Sequence, residues 1–199
     1  MVHYAHPLRI TFNYMYETKT FDIPELNGIS RESIDLHLGL YAGYVKHVNH
    51  IHAELANVSD GYAKAEMQRR LGFEFGGMKN HEYYFSQFEG GAAELPEGKL
   101  SELITKQFGS KDDFVQHMKG IASTRGVGWA MCYIDRAAET LVCTWVDEQH
   151  LGQLADLDIV LALDMWEHSY MRDYLPADKG GYIDAFFQNL NWEVVASRV

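Results

Sequence analysis

The sequence predicts an α+β fold: an N-terminal antiparallel helical hairpin, then an α/β domain built on a three-stranded antiparallel sheet. Three observations carry that expectation. Apolar residues recur at spacings of three and four through the first half of the chain. The composition breaks once, at EGGAAELPEGKL (89–100). Beyond it, β-branched and aromatic runs replace the helical period. The expected divisions are an N-terminal extension at 1–20, the hairpin at 21–91 and the α/β domain at 92–199.

Ser30 can accept a backbone N–H and so begin a long helix in which Ile34, His37, Leu38, Tyr41, Tyr44, Val45, Val48 and Ile51 recur at helical spacing. A second helical stretch, from about Tyr62 to Phe88, carries Met67, Leu71, Phe75, Met78, Tyr84 and Phe85. Its Gly76-Gly77 pair costs about 1 kcal/mol per glycine in a plain helix, so a close approach is expected there. Two long helices with a short connection make an antiparallel hairpin. Further helices are expected near 99–108 and 110–122, the second opened by Ser110 and Asp113 at capping-box spacing. VGWAMCYID (127–135) and ETLVCTWVD (139–147) flank the turn Arg136-Ala137-Ala138 and read as a β-hairpin that sets Cys132 opposite Cys143. DIVLALD (158–164) is a third, buried strand, and helical segments follow at 166–174, 181–190 and 192–198.

Of the 199 residues, 47% are apolar and 23% charged, which is ordinary for a folded soluble chain. The 28 acidic and 17 basic residues leave a formal charge of −11 with no basic block, so nucleic acid is not an expected partner. No apolar run approaches the roughly 20 residues of a membrane helix, and the start lacks the features of a signal peptide. With only Cys132 and Cys143 there is no disulfide framework; two thiols and a cytoplasmic location are the expectation.

Ten histidines raise the question of a metal. His3 and His6 sit in the extension. His47, His50 and His52 do not line one helical face, because two residues turn a helix by about 200°; they and His117 read as solvated. Asp164 and His168 are different. A carboxylate ending an apolar strand is costly unless something positive meets it. An imidazole one short step later can point at the same ion, with Trp166 between them to keep the place dry. The competing reading has Asp164 simply capping the following helix.

DMWEHSY (164–170) resembles the D-x-W-E-H-x-Y signature of the iron/manganese superoxide dismutases. NHEYYF (80–85), GVGWAM (126–131), the closing Asn191-Trp192 and the IPELNGIS (23–30) that precedes a helix with His37 resemble the same family. The resemblance implies one iron or manganese ion per subunit, held by His37, His81, Asp164 and His168. Three neutral imidazoles and one carboxylate suit either metal.

Two departures stand out. The family's first helix usually reads H-x-x-x-H-x-x-x-Y-V; here His37 precedes Tyr44 by seven residues and the second histidine is missing. Seven residues turn about 700°, nearly two full turns, so a regular helix already sets His37 and Tyr44 on one face, whereas eight would need a bulge. A gapless alignment would put Leu36 at the ligand position instead. The missing histidine's usual partner, a tyrosine of the other subunit, is replaced by Met171, whereas the link from Glu167 to the other subunit's His168 keeps both members. A homodimer through Glu167 and His168 is therefore implied.

The implied reaction is dismutation of superoxide, with Tyr44 and a loop residue managing protons. In one branch of the family that donor is a Gln on the second helix, but Gly77 holds the position here. The loop VDEQH (146–150) offers His150 and Gln149; His150 is the first choice, and it points to iron. Trp129 and Trp166 would wall the cavity. Because the net charge repels an anion, Lys179 and Lys46 are the implied steering charges. The alternative is a family member that keeps the metal but has lost turnover and serves a structural or binding role.

Overall fold

The computed structural model describes residues 14–199; expectations placed on residues 1–13, His3 and His6 among them, lie outside the described residues. α1 (Arg31–Leu55) begins where Ser30 accepts the Ser33 N–H at 3.1 Å, and it buries Ile34, His37, Tyr41, Val45, Val48, Ile51 and Leu55 along one stripe. It runs as unbroken α-helix with no π turn. His37 is buried and Leu36 is exposed, so the helix rotation selects His37 over Leu36 as the inward residue. α2 (Gly61–Ser86) is capped by Asp60, which accepts the Ala63 N–H at 2.7 Å.

The two helices run antiparallel, as successive contacts show: Tyr41 with Glu82, Tyr44 with Gly77, His47 with Glu74. Gly76 and Gly77 explain themselves here. A methyl group on Gly77 would lie 2.5 Å from the Tyr44 ring, and one on Gly76 would collide with the carbonyl oxygen of Gln149. Residues 14–20, set apart above as extension, run along this hairpin. Tyr16 exchanges two 2.8 Å bonds with the Asn49 side chain, and Lys19 Nζ meets Glu82 at 2.7 Å.

α3 (Lys99–Phe108) and α4 (Lys111–Ala122) cover the sheet. At the start of α4, Ser110 accepts the Asp113 N–H, but its hydroxyl donates to the Asp113 carboxylate at 2.6 Å, so the reciprocal bond of a capping box is absent. The sheet has order β2-β1-β3, all antiparallel, from β1 (Gly128–Asp135), β2 (Thr140–Asp147) and β3 (Asp158–Asp164). Cys132 pairs directly with Cys143, and both are free thiols.

The expected helix at 166–174 shrinks to one turn, α5 (Glu167–Tyr170), because the next residues are taken by distant partners. Asp173 accepts the Ser30 N–H at 2.8 Å and the Tyr174 hydroxyl donates to the Gly28 carbonyl at 2.6 Å. After a 3₁₀ turn at Pro176–Asp178 come α6 (Lys179–Asn189) and α7 (Trp192–Ala196). Gln87, just past α2, both donates to and accepts from the Ala162 backbone at 2.9 Å, which fixes α2 against β3. Among the described residues no helix is long and apolar enough to cross a membrane.

Candidate metal centre

α1 contributes His37, α2 contributes His81, β3 ends on Asp164 and α5 carries His168, and all four converge. One ligating atom from each lies within 4.8 Å of the others. Asp164 Oδ2 sits 3.1 Å from His37 Nε2, 3.2 Å from His168 Nε2 and 3.5 Å from His81 Nε2. Atoms about 2.1 Å from a shared centre and 90–120° apart are separated by roughly 3.0–3.6 Å, so these spacings fit one first-row ion. His81 supplies an independent mark. Its Nδ1–H donates to the Gly77 carbonyl at 2.6 Å, which leaves the lone pair on Nε2, and that buried atom has no hydrogen-bond partner.

The protonation states also suit a cation. Burial first, then the neighbouring His37 charge, pushes His81 down to about 3 despite the pull of Asp164. Burial also lowers His37, against its hydrogen bond to Asp164. Burial would raise Asp164, but the His168 charge and the bonds from His168 and His37 hold its carboxyl well below the usual range. Its other oxygen, Oδ1, accepts the Trp166 N–H at 2.8 Å. Asp164 therefore turns one oxygen to the backbone just ahead of α5, whose N-cap is Trp166 without a side-chain cap bond, and the other to the histidines.

The loop after β2 divides its two candidates. Gln149 is fully buried; its Nε2 donates to the Tyr44 hydroxyl and its Oε1 accepts from Trp129 Nε1, both at 2.9 Å. His150 lies instead against Phe73 and Gly72 and makes no hydrogen bond to Tyr44 or to the four ligand candidates. That corrects the preference for His150 and removes the ground on which the loop pointed to iron. Glu148, just before Gln149, adopts a left-handed φ of 51°, and the Trp166 indole, 18 residues on, donates to its carbonyl at 3.0 Å; together they turn the next residue inward.

Trp129 packs edge-on to His81 at 5.2 Å and Trp166 stacks on His168 at 5.7 Å, so both indoles wall the centre. Tyr44 lies over His81 at 5.0 Å. Burial, with the Asp164 and Glu74 charges, pushes its phenol well above the usual tyrosine range. Glu167 is exposed, and its carboxylate has no hydrogen bond or ion pair to the described residues. Lys179 Nζ donates to the carbonyls of Thr124 (2.9 Å) and Ser123 (3.3 Å). Lys46 is exposed on α1, two residues and so about 200° around the helix from Tyr44. Of the remaining histidines, His47, His50 and His117 are exposed, but His52 is half-buried against Tyr16 rather than solvated. Sequence reasoning missed Asn80, which donates to the Gln149 carbonyl at 2.9 Å; its place beside His81 in NHEYYF was the available signal.

Residues 96–198 match the profile of the iron/manganese superoxide dismutases, C-terminal domain. The superoxide dismutase [Fe] of Pyrobaculum aerophilum is 32% identical, covering 93% of this chain and 94% of that protein. The superoxide dismutase [Fe] of Aquifex aeolicus is also 32% identical, over 87% of this chain and 85% of its own length. The superoxide dismutase [Mn] of Corynebacterium diphtheriae is 32% identical over 69% of each. A profile match across the sheet half, full-length relatives and a buried three-histidine, one-aspartate cluster lead to one conclusion: the chain belongs to the iron/manganese superoxide dismutase family.

Proposed function

We propose that this protein disproportionates superoxide, two anions and two protons giving oxygen and hydrogen peroxide, at a single iron or manganese ion held by His37, His81, Asp164 and His168. The observation that carries the reading is the unpartnered, buried Nε2 of His81 facing the Asp164 carboxylate. When bound, the ion supplies the one-electron exchange that no side chain here can supply alone.

The chain's own groups do the rest. Gln149 must present its oxygen to the Trp129 indole, which can only donate, so its NH₂ faces Tyr44. Tyr44 accepts that bond and keeps its own hydrogen free to give. A phenol holds that hydrogen at neutral pH. Trp129 and Trp166 exclude bulk water from the ligands. Lys179, held on two carbonyls with Arg125 beside it, is the proposed steering charge; Lys46 is the second candidate.

Iron is the proposed metal, on the ground that the relatives covering 86–93% of this chain carry iron in their names, whereas the manganese-named ones cover 58–69%. A homodimer through Glu167 and His168 is supported by exposed Leu36 and Leu40, one turn apart on α1, and exposed Met171 on α5's far end, where Arg172 ties back to Glu32 at 2.6 Å. A cytoplasmic location is retained as part of the proposal.

The test is to load metal-free protein separately with iron and manganese and follow removal of a superoxide pulse. Rapid catalytic removal with at least one metal supports the reading. Stoichiometric metal uptake without turnover would contradict it and favour the role of a metal-binding protein without activity.

A further inference from the structure

Gln149 is held at three points, and only two of them belong to its side chain. The third is its main-chain carbonyl, which accepts from Asn80 Nδ2 at 2.9 Å. Asn80 Oδ1 accepts from Gln153 Nε2 at 2.9 Å, and Gln153 Oε1 accepts from the Tyr133 hydroxyl at 2.6 Å. Asn80, Gln149 and Tyr133 are almost wholly buried. A carbonyl can only accept, so Asn80 must turn its NH₂ toward Gln149 and its oxygen toward Gln153. Gln153 must then turn its own oxygen toward Tyr133, which donates. The polarity of the whole chain of bonds is fixed from the Gln149 end, with no second arrangement of equal quality. Gly76 lets the Gln149 carbonyl sit against α2, so Asn80 reaches it directly.

Resting on the activity proposed above, we infer that Gln153 is a positioning residue for that reaction. Through Asn80 it fixes the Gln149 backbone, hence the reach of the Gln149 amide toward Tyr44 and the ligand cluster. Gln153 is half-buried and borders an apolar groove formed by α2, Tyr16 and His150, so it connects the site to a surface remote from the ligands. It contacts none of the four ligand candidates. Its side chain is linked to the centre by hydrogen bonds through Asn80 and Gln149, and a bound metal registers such bonds in its redox balance.

The experiment compares wild type, Gln153→Leu, Gln153→Glu and Tyr133→Phe, each loaded with iron, by redox titration alongside turnover. Gln153→Leu breaks both bonds. Gln153→Glu keeps an acceptor for Tyr133 but cannot donate to Asn80, so it breaks the inner bond alone. Tyr133→Phe breaks the outer bond alone. The expected result is a change of about threefold to tenfold in the oxidised-to-reduced ratio at fixed potential for both Gln153 variants, and a smaller change in the same direction for Tyr133→Phe. Ratios within twofold of wild type for Gln153→Glu, whether or not thermal stability falls, would overturn the inference and leave Gln153 a structural residue. Wild type that binds iron without turnover would overturn the activity reading instead, because the titration does not depend on turnover.

Discussion

Gln149 Nε2 meets the Tyr44 hydroxyl at 2.9 Å, joining a loop and a helix that lie 105 residues apart in sequence. That contact ties Gln149, not its neighbour His150, to Tyr44 beside the ligand candidates. Replacing Gln149 with alanine leaves Tyr44 and the Trp129 indole without their partner. Turnover of the metal-loaded protein should fall by roughly 10–100-fold, with His150→Ala within about twofold of wild type. Steady-state superoxide kinetics on the two variants check this, and the opposite ranking would restore His150.

The glycines on α2 should separate by what they touch. Gly76→Ala drives a methyl group into the Gln149 carbonyl, a backbone atom that cannot rotate away, whereas Gly77→Ala meets the Tyr44 ring. Both should destabilise, Gly76→Ala more, within about 1–3 kcal/mol. Gly120→Ala in α4, with no atom within 4 Å of the added methyl, should stabilise by about 0.5–1 kcal/mol. Urea unfolding of the three variants gives the order.

The metal-free protein should weaken in mild acid. His81 stays neutral in the fold until about pH 3, but once unfolded it takes up a proton near 6.5. The unfolded chain therefore binds more protons between those values, and stability falls as pH falls from 6.5 toward 3, by up to roughly 1.4 kcal/mol per pH unit. His37, lowered by burial, acts in the same direction. Urea midpoints at about pH 7.5 and about pH 5.5 measure the slope, and His81→Gln should flatten it. A slope of opposite sign would mean that His81 is not buried neutral.

Leu36, Leu40 and Met171 are exposed apolar side chains near one end of α1. If this face joins two subunits, Leu36→Glu with Leu40→Glu should convert a dimer to a monomer in sedimentation velocity, while the monomer keeps its metal. A wild-type protein that sediments as a monomer at micromolar concentration would contradict the dimer.

Much of the architecture was legible because it is written locally. Ser30 and Ser110 both cap helices, and the alternation around residues 137 and 138 set the register that pairs Cys132 with Cys143. The segment at 166–174 was not legible, because Asp173 and Tyr174 are held by Ser30 and Gly28, contacts that no helical period announces. The four ligand candidates, His37 among them, were readable from motif resemblance. The seven-residue spacing showed only that a regular helix sets His37 and Tyr44 on one face, and the burial of His37 rather than Leu36 agrees with it. The choice between Gln149 and His150 was not readable. It turns on the left-handed backbone of Glu148 and a bond from Trp166, both decided by tertiary structure.

The central claim is that one ion sits among His37, His81, Asp164 and His168, and anomalous diffraction from iron-loaded crystals tests it most directly. The account predicts a single anomalous peak about 2.0–2.2 Å from Nε2 of each histidine and from Asp164 Oδ2. A peak elsewhere, or a His37 ring turned out of the cluster, would contradict it.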